Sequence, residues 1–348
     1  MPTHYNRPGC GGSALPRAQV SVIVTVRNES DSVAKLLESL RSQTRQPDEV
    51  VIVDGGSTDD TLAQLRAWEH SQRLPLRVLV EPGSNISRGR NVAIASARGP
   101  VIASTDAGVR LAPTWLASLL RPFEENRAAS AAPVVACGFF RPETTNAFET
   151  ALGATTLPEL ADVAPERFLP SSRSVAFLKT AWQEVGGYPE WLDYCEDLIL
   201  DLRLRSRGYG FVFVPGAIAH FRPRSSLHAF YRQYYHYGRG DGKADLWRGR
   251  HIIRYLTYLV ALPILLWLIA TKSLIWVIPL ILGAAVMFAT PYRRLLPALE
   301  SLSALDRLQA ILLVPVIRVV GDVAKMLGYP AGVYWRWRHR QRIPNWRD

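Results

Sequence analysis

ASTDAGVRLAPTW, residues Ala103–Trp115, is the stretch from which the fold is read. The run Val101-Ile102-Ala103 before it is short and apolar, and Gly108 and Pro113 interrupt the pattern beyond, so Asp106 falls at the C-terminal edge of a strand. In an open α/β sheet that edge is where ligands bind. A second strand, Val50-Val51-Ile52-Val53-Asp54, ends in the same way and runs into the turn Gly55-Gly56-Ser57-Thr58-Asp59-Asp60. Two carboxylates at strand ends on one rim point to a site for a nucleotide and a cation.

Outward from these strands the chain alternates short apolar runs with helical patterns between residue 20 and about residue 120. Strands are predicted at Val20–Val26, Glu49–Asp54, Leu76–Val80 and Pro100–Thr105. Helices are predicted over Asp31–Arg41, after a cap at Ser57 or Thr58, and over Asn85–Ala97. This βαβαβ order implies a parallel, doubly wound sheet. Further on, Pro133–Phe140 adds a strand, Glu196–Arg207 carries apolar residues at helical intervals, and Phe211–Val214 and Ala217–Phe221 read as two short strands. Asn146–Pro170 shows no such periodicity.

With 348 residues and 48% hydrophobic content, the chain can hold one large domain and an appendage. The formal charge of +11 is carried mainly by arginines. They flank the apolar C-terminal segments and crowd the tail Trp335-Arg336-Trp337-Arg338-His339-Arg340-Gln341-Arg342, which favours a membrane surface or a phosphorylated substrate over nucleic acid. Cys10, Cys137 and Cys195 lie far apart without metal-ligand spacing and read as reduced thiols of a cytosolic compartment. Residues 1–18, rich in Pro, Gly and Arg and lacking a secretory apolar run, read as a disordered leader.

The chain changes character near Arg250. Tyr255–Thr271 and Ser273–Thr290 are almost wholly apolar, each close to the roughly 20 residues that span a bilayer, with Lys272 between them. Arg248, Arg250 and Arg254 precede the pair, and Arg293 and Arg294 follow it. The positive-inside tendency then gives a tight transmembrane hairpin with both ends in the cytoplasm and Lys272 outside; the alternative is a pair of buried core helices. In Leu302–Leu327, Leu305, Leu308, Leu312, Val316, Val319, Val320 and Val323 share one helical face, and Arg307, Arg318, Asp322 and Lys325 the other. That separation describes a helix lying in the membrane interface, with a third span as the alternative. The expected organisation is a leader (1–18), a catalytic domain (19–250), a hairpin (251–292), and an interfacial helix with a basic Trp/Arg tail (293–348).

Four stretches carry a family resemblance: VSVIVTVRNE (Val20–Glu29), DEVVIVDGGSTDDT (Asp48–Thr61), GRNVAIASARGPVIASTDAGVRL (Gly89–Leu111) and EDLILDLRLRSRGYGFVFVPGAIAHF (Glu196–Phe221). In this order, and over roughly Val20–Arg250, they resemble the motifs of glycosyltransferase family 2. The resemblance implies a GT-A fold, an α/β doubly wound and mostly parallel sheet, with a nucleotide-diphosphate sugar as donor and inversion at the anomeric carbon. Members with C-terminal membrane segments commonly act on lipid-linked or exported glycans. The implied setting is therefore a multi-pass protein of the cell (inner) membrane, catalytic domain in the cytoplasm, with membrane lipids and a lipid-linked or glycan acceptor as partners and no nucleic acid.

The resemblance also assigns residues. Thr25, Arg27 and Glu29 after the first strand, with Asp54, line the nucleotide pocket, where a carboxylate accepts from a base N–H or ribose hydroxyl; the family usually has proline where Thr25 stands. Arg90 and Asn91 match an Arg-Asn pair that holds Asp106 or the diphosphate. Asp106 matches the first carboxylate of an Asp-x-Asp motif that binds Mg²⁺ or Mn²⁺. Here the motif reads Asp106-Ala107-Gly108, one ligand short, and His220 matches a position where related enzymes supply a histidine ligand. Asp197 matches the general base, with Glu196 helping to position acceptor or base. Arg239, in the segment Tyr231–Gly240 before the membrane, either clamps the diphosphate or meets lipid headgroups. The absence of Gln-x-x-Arg-Trp from that segment favours transfer of a single sugar.

Local readings compete with these. Asp54 before Gly and Ser is also a common helix cap, and an acidic pair such as Glu196-Asp197 suits a helix N-terminus without any catalytic role. Two other functions share the sheet topology: a nucleotidyltransferase acting on sugar phosphates, for which a glycine-rich Lys/Arg signature near the start is lacking, and a membrane-bound scaffold without chemistry, for which the incomplete Asp-x-Asp is the one hint.

Overall fold

A computed structural model of the chain describes residues 18–129, 134–341 and 346. Residues 1–17 of the expected leader, Cys10 among them, the start of the strand expected at Pro133 and most of the tail beyond Gln341 lie outside them. Eight strands make one sheet: β1 (Val20–Val26), β2 (Glu49–Asp54), β3 (Leu76–Val80), β4 (Val101–Asp106), β5 (Val109–Leu111), β6 (Val134–Pro142), β7 (Val175–Leu178) and β8 (Gly210–Phe221), in the order β3-β2-β1-β4-β7-β6-β8-β5. β3, β2, β1 and β4 are parallel; β7 pairs antiparallel to both β4 and β6, β8 runs parallel to β6, and β5 antiparallel to β8. The sheet is thus the mixed, mostly parallel, doubly wound form.

Helices α1 (Val33–Arg41), α2 (Thr61–Ser71) and α4 (Trp115–Ala129) cover one face, where Leu36, Leu40, Leu65 and Trp115 meet Val22, Val24 and Ile52. On the other face α3 (Ile86–Ser96), α6 (Lys179–Glu184) and α7 (Glu196–Ser206) bring Ile94, Ala181, Leu200 and Leu204 against Ile23, Val51 and Val53. Burial on both faces explains why β1 and β2 are near-continuous β-branched runs and do not alternate with polar residues.

The two strands expected at Phe211–Val214 and Ala217–Phe221 are one strand, β8. Phe213 pairs with Cys137 and Ile218 with Phe139, so Val214-Pro215-Gly216-Ala217 bulge opposite Gly138 alone. A Cβ on Gly138 would collide with Ser174 Oγ and the Ala217 carbonyl, which explains the glycine. The stretch without periodicity, Asn146–Pro170, contains α5 (Ala147–Thr156), capped by Asn146 Oδ1 on the Glu149 N–H at 2.9 Å, and two single 3₁₀ turns.

After α8 (Leu227–Ala244) come two long apolar helices. Arg248–Thr271 comprises α9 (Arg248–Leu256), a π turn (Thr257–Ala261) and α10 (Leu262–Thr271); Leu274–Leu299 comprises a 3₁₀ turn and α11 (Val277–Leu299). Their 24 and 26 residues suffice to cross a bilayer, and 0% and 6% of their most apolar windows are buried. That exposure is inconsistent with a pair of core helices. α12 (Ala304–His339) packs on α8 and α5. Its leucine–valine face is the exposed one, with Leu305, Leu308 and Leu312 open, while Asp322 on the polar face is buried against the protein.

Candidate active site

Strand register brings the first two carboxylates together. Val26 of β1 pairs with Asp54 of β2, and Thr25 with Asp106 of β4, so both acids flank the end of one central strand. Asp54 is fully buried; its Oδ1 accepts from the Gly56 and Ser57 N–H groups at 2.8 Å each, and its Oδ2 has no partner. Asn28, in the left-handed region at φ 56°, pins the β1 loop to this turn by accepting from the Thr58 N–H at 2.8 Å and donating its own N–H to Ser57 Oγ at 2.9 Å. Arg27 is exposed on that loop. The Glu29 N–H donates to Thr61 Oγ1 at 2.7 Å, and its carboxylate accepts from Ser32. Thr25 leaves no room for a side chain on α3: a Cβ on Gly89 would lie 2.7 Å from its Cγ2.

The third and fourth acids arrive from α7. Buried Arg90 on α3 forms a fork between Asp106 and Glu196, Nη2 2.8 Å from Asp106 Oδ1 and Nη1 2.6 Å from Glu196 Oε1, with its guanidinium 5.3 Å from the Tyr188 ring centroid. Arg173 Nε approaches Asp106 Oδ2 at 3.4 Å. Burial alone raises the Asp106 pKa, but Arg90 and Arg173 outweigh it and hold the carboxyl below its ordinary range. Glu196 goes the other way: burial first, then the neighbouring Asp197, push it up to about 7 against the pull of Arg90. Asp197 is half-buried, with Oδ1 accepting from the Leu198 N–H at 2.8 Å. One turn below, Asp201 is buried with Oδ2 unpartnered, and burial with the nearby Asp197 holds its pKa well above the carboxylate range.

Asn91 spends its amide on the scaffold. Nδ2 donates to the Tyr188 carbonyl and Glu190 Oε1, while Oδ1 accepts from Trp182 Nε1 and the Tyr188 N–H, all at 2.9–3.0 Å. These bonds fix the Gly186-Gly187-Tyr188 turn and so the ring under Arg90. Arg239 on α8 reaches Asp193 Oδ2 at 3.1 Å, just ahead of α7. His220 is not brought to Asp106. Its Nδ1 lies 3.8 Å from Glu143 Oε1, and burial with Arg110 and Arg141 lowers its pKa against Glu143. Among the described residues no group of three His, Cys, Asp or Glu side chains is arranged to hold a metal. As a donor set for a hard cation this leaves one partly exposed carboxylate, Asp106, which suits an ion held mainly by a ligand's phosphates.

Three contributors escape a reading from sequence. Arg173 and Ser172 come from the aperiodic loop before β7, Ser172 bonding the Tyr188 hydroxyl at 2.8 Å. Tyr188 itself is flagged by the preceding Gly186-Gly187, both at positive φ.

The chain matches the family model described as Glycosyl transferase family 2 over residues 21–158, and that described as Glycosyl transferase family group 2 over residues 102–298. It is 27% identical over 237 residues to the succinoglycan biosynthesis protein ExoA of Rhizobium meliloti, covering 64% of this chain and 68% of that protein. To the validoxylamine A glucosyltransferase of Streptomyces hygroscopicus subsp. limoneus it is 31% identical over 103 residues, 29% of this chain and 23% of that one. Among solved structures, the mannosyltransferase PcManGT of Pyrobaculum calidifontis, in complex with GDP-Man and Mn²⁺, superposes with TM-score 0.59 at 19% identity, covering 92% of this chain and 90% of that one. The likeness shows a shared fold.

Proposed function

The chain belongs to glycosyl transferase family 2 and is a glycosyltransferase, and from that premise we propose that it is membrane-anchored and moves one sugar, with inversion, from a nucleotide-sugar donor to a hydroxyl of a lipid-linked or exported-glycan acceptor at the cytoplasmic face. Family membership sets aside the nucleotidyltransferase reading. The observation that supports the site assignment is the Arg90 fork, which ties the rim acid Asp106 to Glu196, the neighbour of Asp197 on α7.

In this reading the unpartnered Asp54 Oδ2 accepts a hydrogen bond from the nucleoside, and Thr25, Arg27 and Glu29 border the same pocket. Asp106 is the carboxylate offered to a Mg²⁺ or Mn²⁺ ion, which when bound stabilises charge on the departing nucleoside diphosphate. His220, paired on both sides in β8 and turned to Glu143, is left out of that ligand set. Arg239 and Arg173 face the diphosphate as cations, and Asn91 serves the pocket by positioning Tyr188. Asp197 takes the proton from the acceptor hydroxyl as it attacks the anomeric carbon opposite the leaving group. Glu196, engaged by Arg90 and with its pKa raised by burial and by Asp197, leaves Asp197 as the acceptor of that proton.

Asp197→Asn is expected to lower transfer by about 100-fold or more, while nucleotide-sugar affinity measured by calorimetry changes less than about twofold. Transfer at the wild-type rate in this variant would remove Asp197 from the role.

A further inference from the structure

The hairpin helices and α12 border a groove of 980 Å³ whose walls are mainly apolar, among them Leu262, Leu265, Leu282 and Val286, and whose charged lining residues are Arg250, Arg254, Arg294, Arg318 and Asp322. Cations outnumber anions there. Asp322 Oδ1 holds Arg254 at 2.6 Å and its Oδ2 lies 3.3 Å from Arg318; Asp162 takes Arg294 at 2.7 Å and also Arg293; Arg250 stacks over Trp247. Arg250 and Arg254 sit near the start of the first hairpin helix and Arg294 near the end of the second, so the cationic end lies at the level of lipid phosphates if the hairpin spans a bilayer. The π turn Thr257–Ala261 opens the first helix where it lines the groove.

Arg294 also lines a second cavity, of 470 Å³, bounded by Phe140, Arg141, Thr144 and the loop after α5. Phe140 carries Arg173 over its ring at 5.5 Å, and Arg173 in turn touches Asp106. Arg294, which lines both hollows, and then Phe140 and Arg173 thus lay out a track from the apolar groove and its arginines, past the second cavity, toward the catalytic rim.

We propose that this track binds the acceptor through its lipid carrier, the chain lying in the hairpin groove, a lipid phosphate among Arg254, Arg294 and Arg318, and the attached glycan entering the Phe140–Arg141 cavity. The proposal rests on the reading of a lipid-linked acceptor. A phospholipid of the bulk bilayer would use the groove and leave the second cavity without a role, which is why the sharing of Arg294 between the two hollows selects the acceptor's lipid.

The test uses the full chain in phosphatidylcholine nanodiscs with geranylgeranyl phosphate as probe, binding being read by native mass spectrometry. Arg294→Gln should weaken probe binding at least tenfold and leave nucleotide-sugar affinity unchanged. Because Arg294 also ties down Asp162, a second variant is needed: Gly283→Phe fills the groove from a position where an added Cβ meets nothing within 4 Å, and should weaken binding at least fivefold. Undiminished binding in both variants, equal binding of geranylgeraniol, or displacement of the probe by equimolar phosphatidylglycerol or by inorganic phosphate would each overturn the site. Transfer to soluble glycans alone, with the probe still bound and still sensitive to both variants, would instead remove the lipid-linked acceptor and leave the groove as a lipid-phosphate site.

Discussion

Asp54 is a side chain whose cost in the free protein is visible. A buried carboxylate oxygen without a donor is worth about 1–3 kcal/mol of lost solvation, and Asp54 Oδ2 is held in that state by two N–H groups that fix Oδ1. Asp54→Asn keeps the turn and converts the waiting acceptor into a donor, so nucleotide-sugar affinity is expected to fall by about 10- to 100-fold in calorimetry, with little change in Tm. Glu196 gives a pH signature. Its folded pKa of about 7 lies above the unfolded value of about 4.3, so the folded state binds the proton more tightly. Its stabilising contribution is complete below about pH 4.3 and is lost as pH rises through about 7. Glu196→Gln should accordingly flatten the decline of Tm between pH 4.5 and 7; an unchanged slope would mean that Glu196 titrates elsewhere. The strand-end acids are legible in the sequence because an apolar run shows where a strand stops. Arg173 is not, because its loop has no periodicity and its place depends on β7 pairing antiparallel to β4 in the sheet.

At the scale of elements, the close approach of α8 and α12 rests on missing side chains. A Cβ on Gly328 would run into the Tyr235 carbonyl, one on Gly332 into that of Arg239, and one on Gly238 would sit 2.7 Å from the Lys325 carbonyl. The obstacles are backbone, which cannot swing aside, so Gly328→Ala should lower Tm by an amount equivalent to about 1–3 kcal/mol of overpacking. Gly249→Ala on α9, where an added Cβ meets nothing within 4 Å, should be neutral or slightly stabilising through helix propensity. Equal effects of the two would show that the α8–α12 contact is looser than described. This contact also explains what periodicity alone does not convey about α12. The Leu/Val face and the polar face are plain from spacing, yet which one the protein covers is decided by the small residues Gly321, Ala324, Gly328 and Gly332, all buried. For β8 the sequence break at Pro215-Gly216 is real, and tertiary pairing with β6 on both sides of it makes a bulge of what reads locally as a gap.

At the scale of the whole molecule, the arrangement turns on where the hairpin places its tip. The catalytic rim, the arginine cluster and α12 all lie toward one end of the two apolar helices, while Lys272 lies at the other, its ammonium 5.8 Å from the Trp267 ring centroid. If the hairpin spans the bilayer, Lys272 emerges on the side opposite the nucleotide-sugar site. Single-cysteine labelling separates this from a hairpin lying flat on the cytoplasmic surface. Cys137 is buried and Cys195 half-buried, and desolvation raises both thiol pKa values well above the ordinary range, which makes them poor targets. In a Cys10→Ser background, Lys272→Cys should react with a membrane-impermeant maleimide in intact cells whose outer barrier has been opened. Arg121→Cys, whose parent side chain is 69% exposed on the catalytic domain, should react only after the inner membrane is lysed. Labelling of both sites before lysis, or of neither, would refute the spanning topology, because a charge at the tip can be reached from outside only if the apolar helices on either side of it cross.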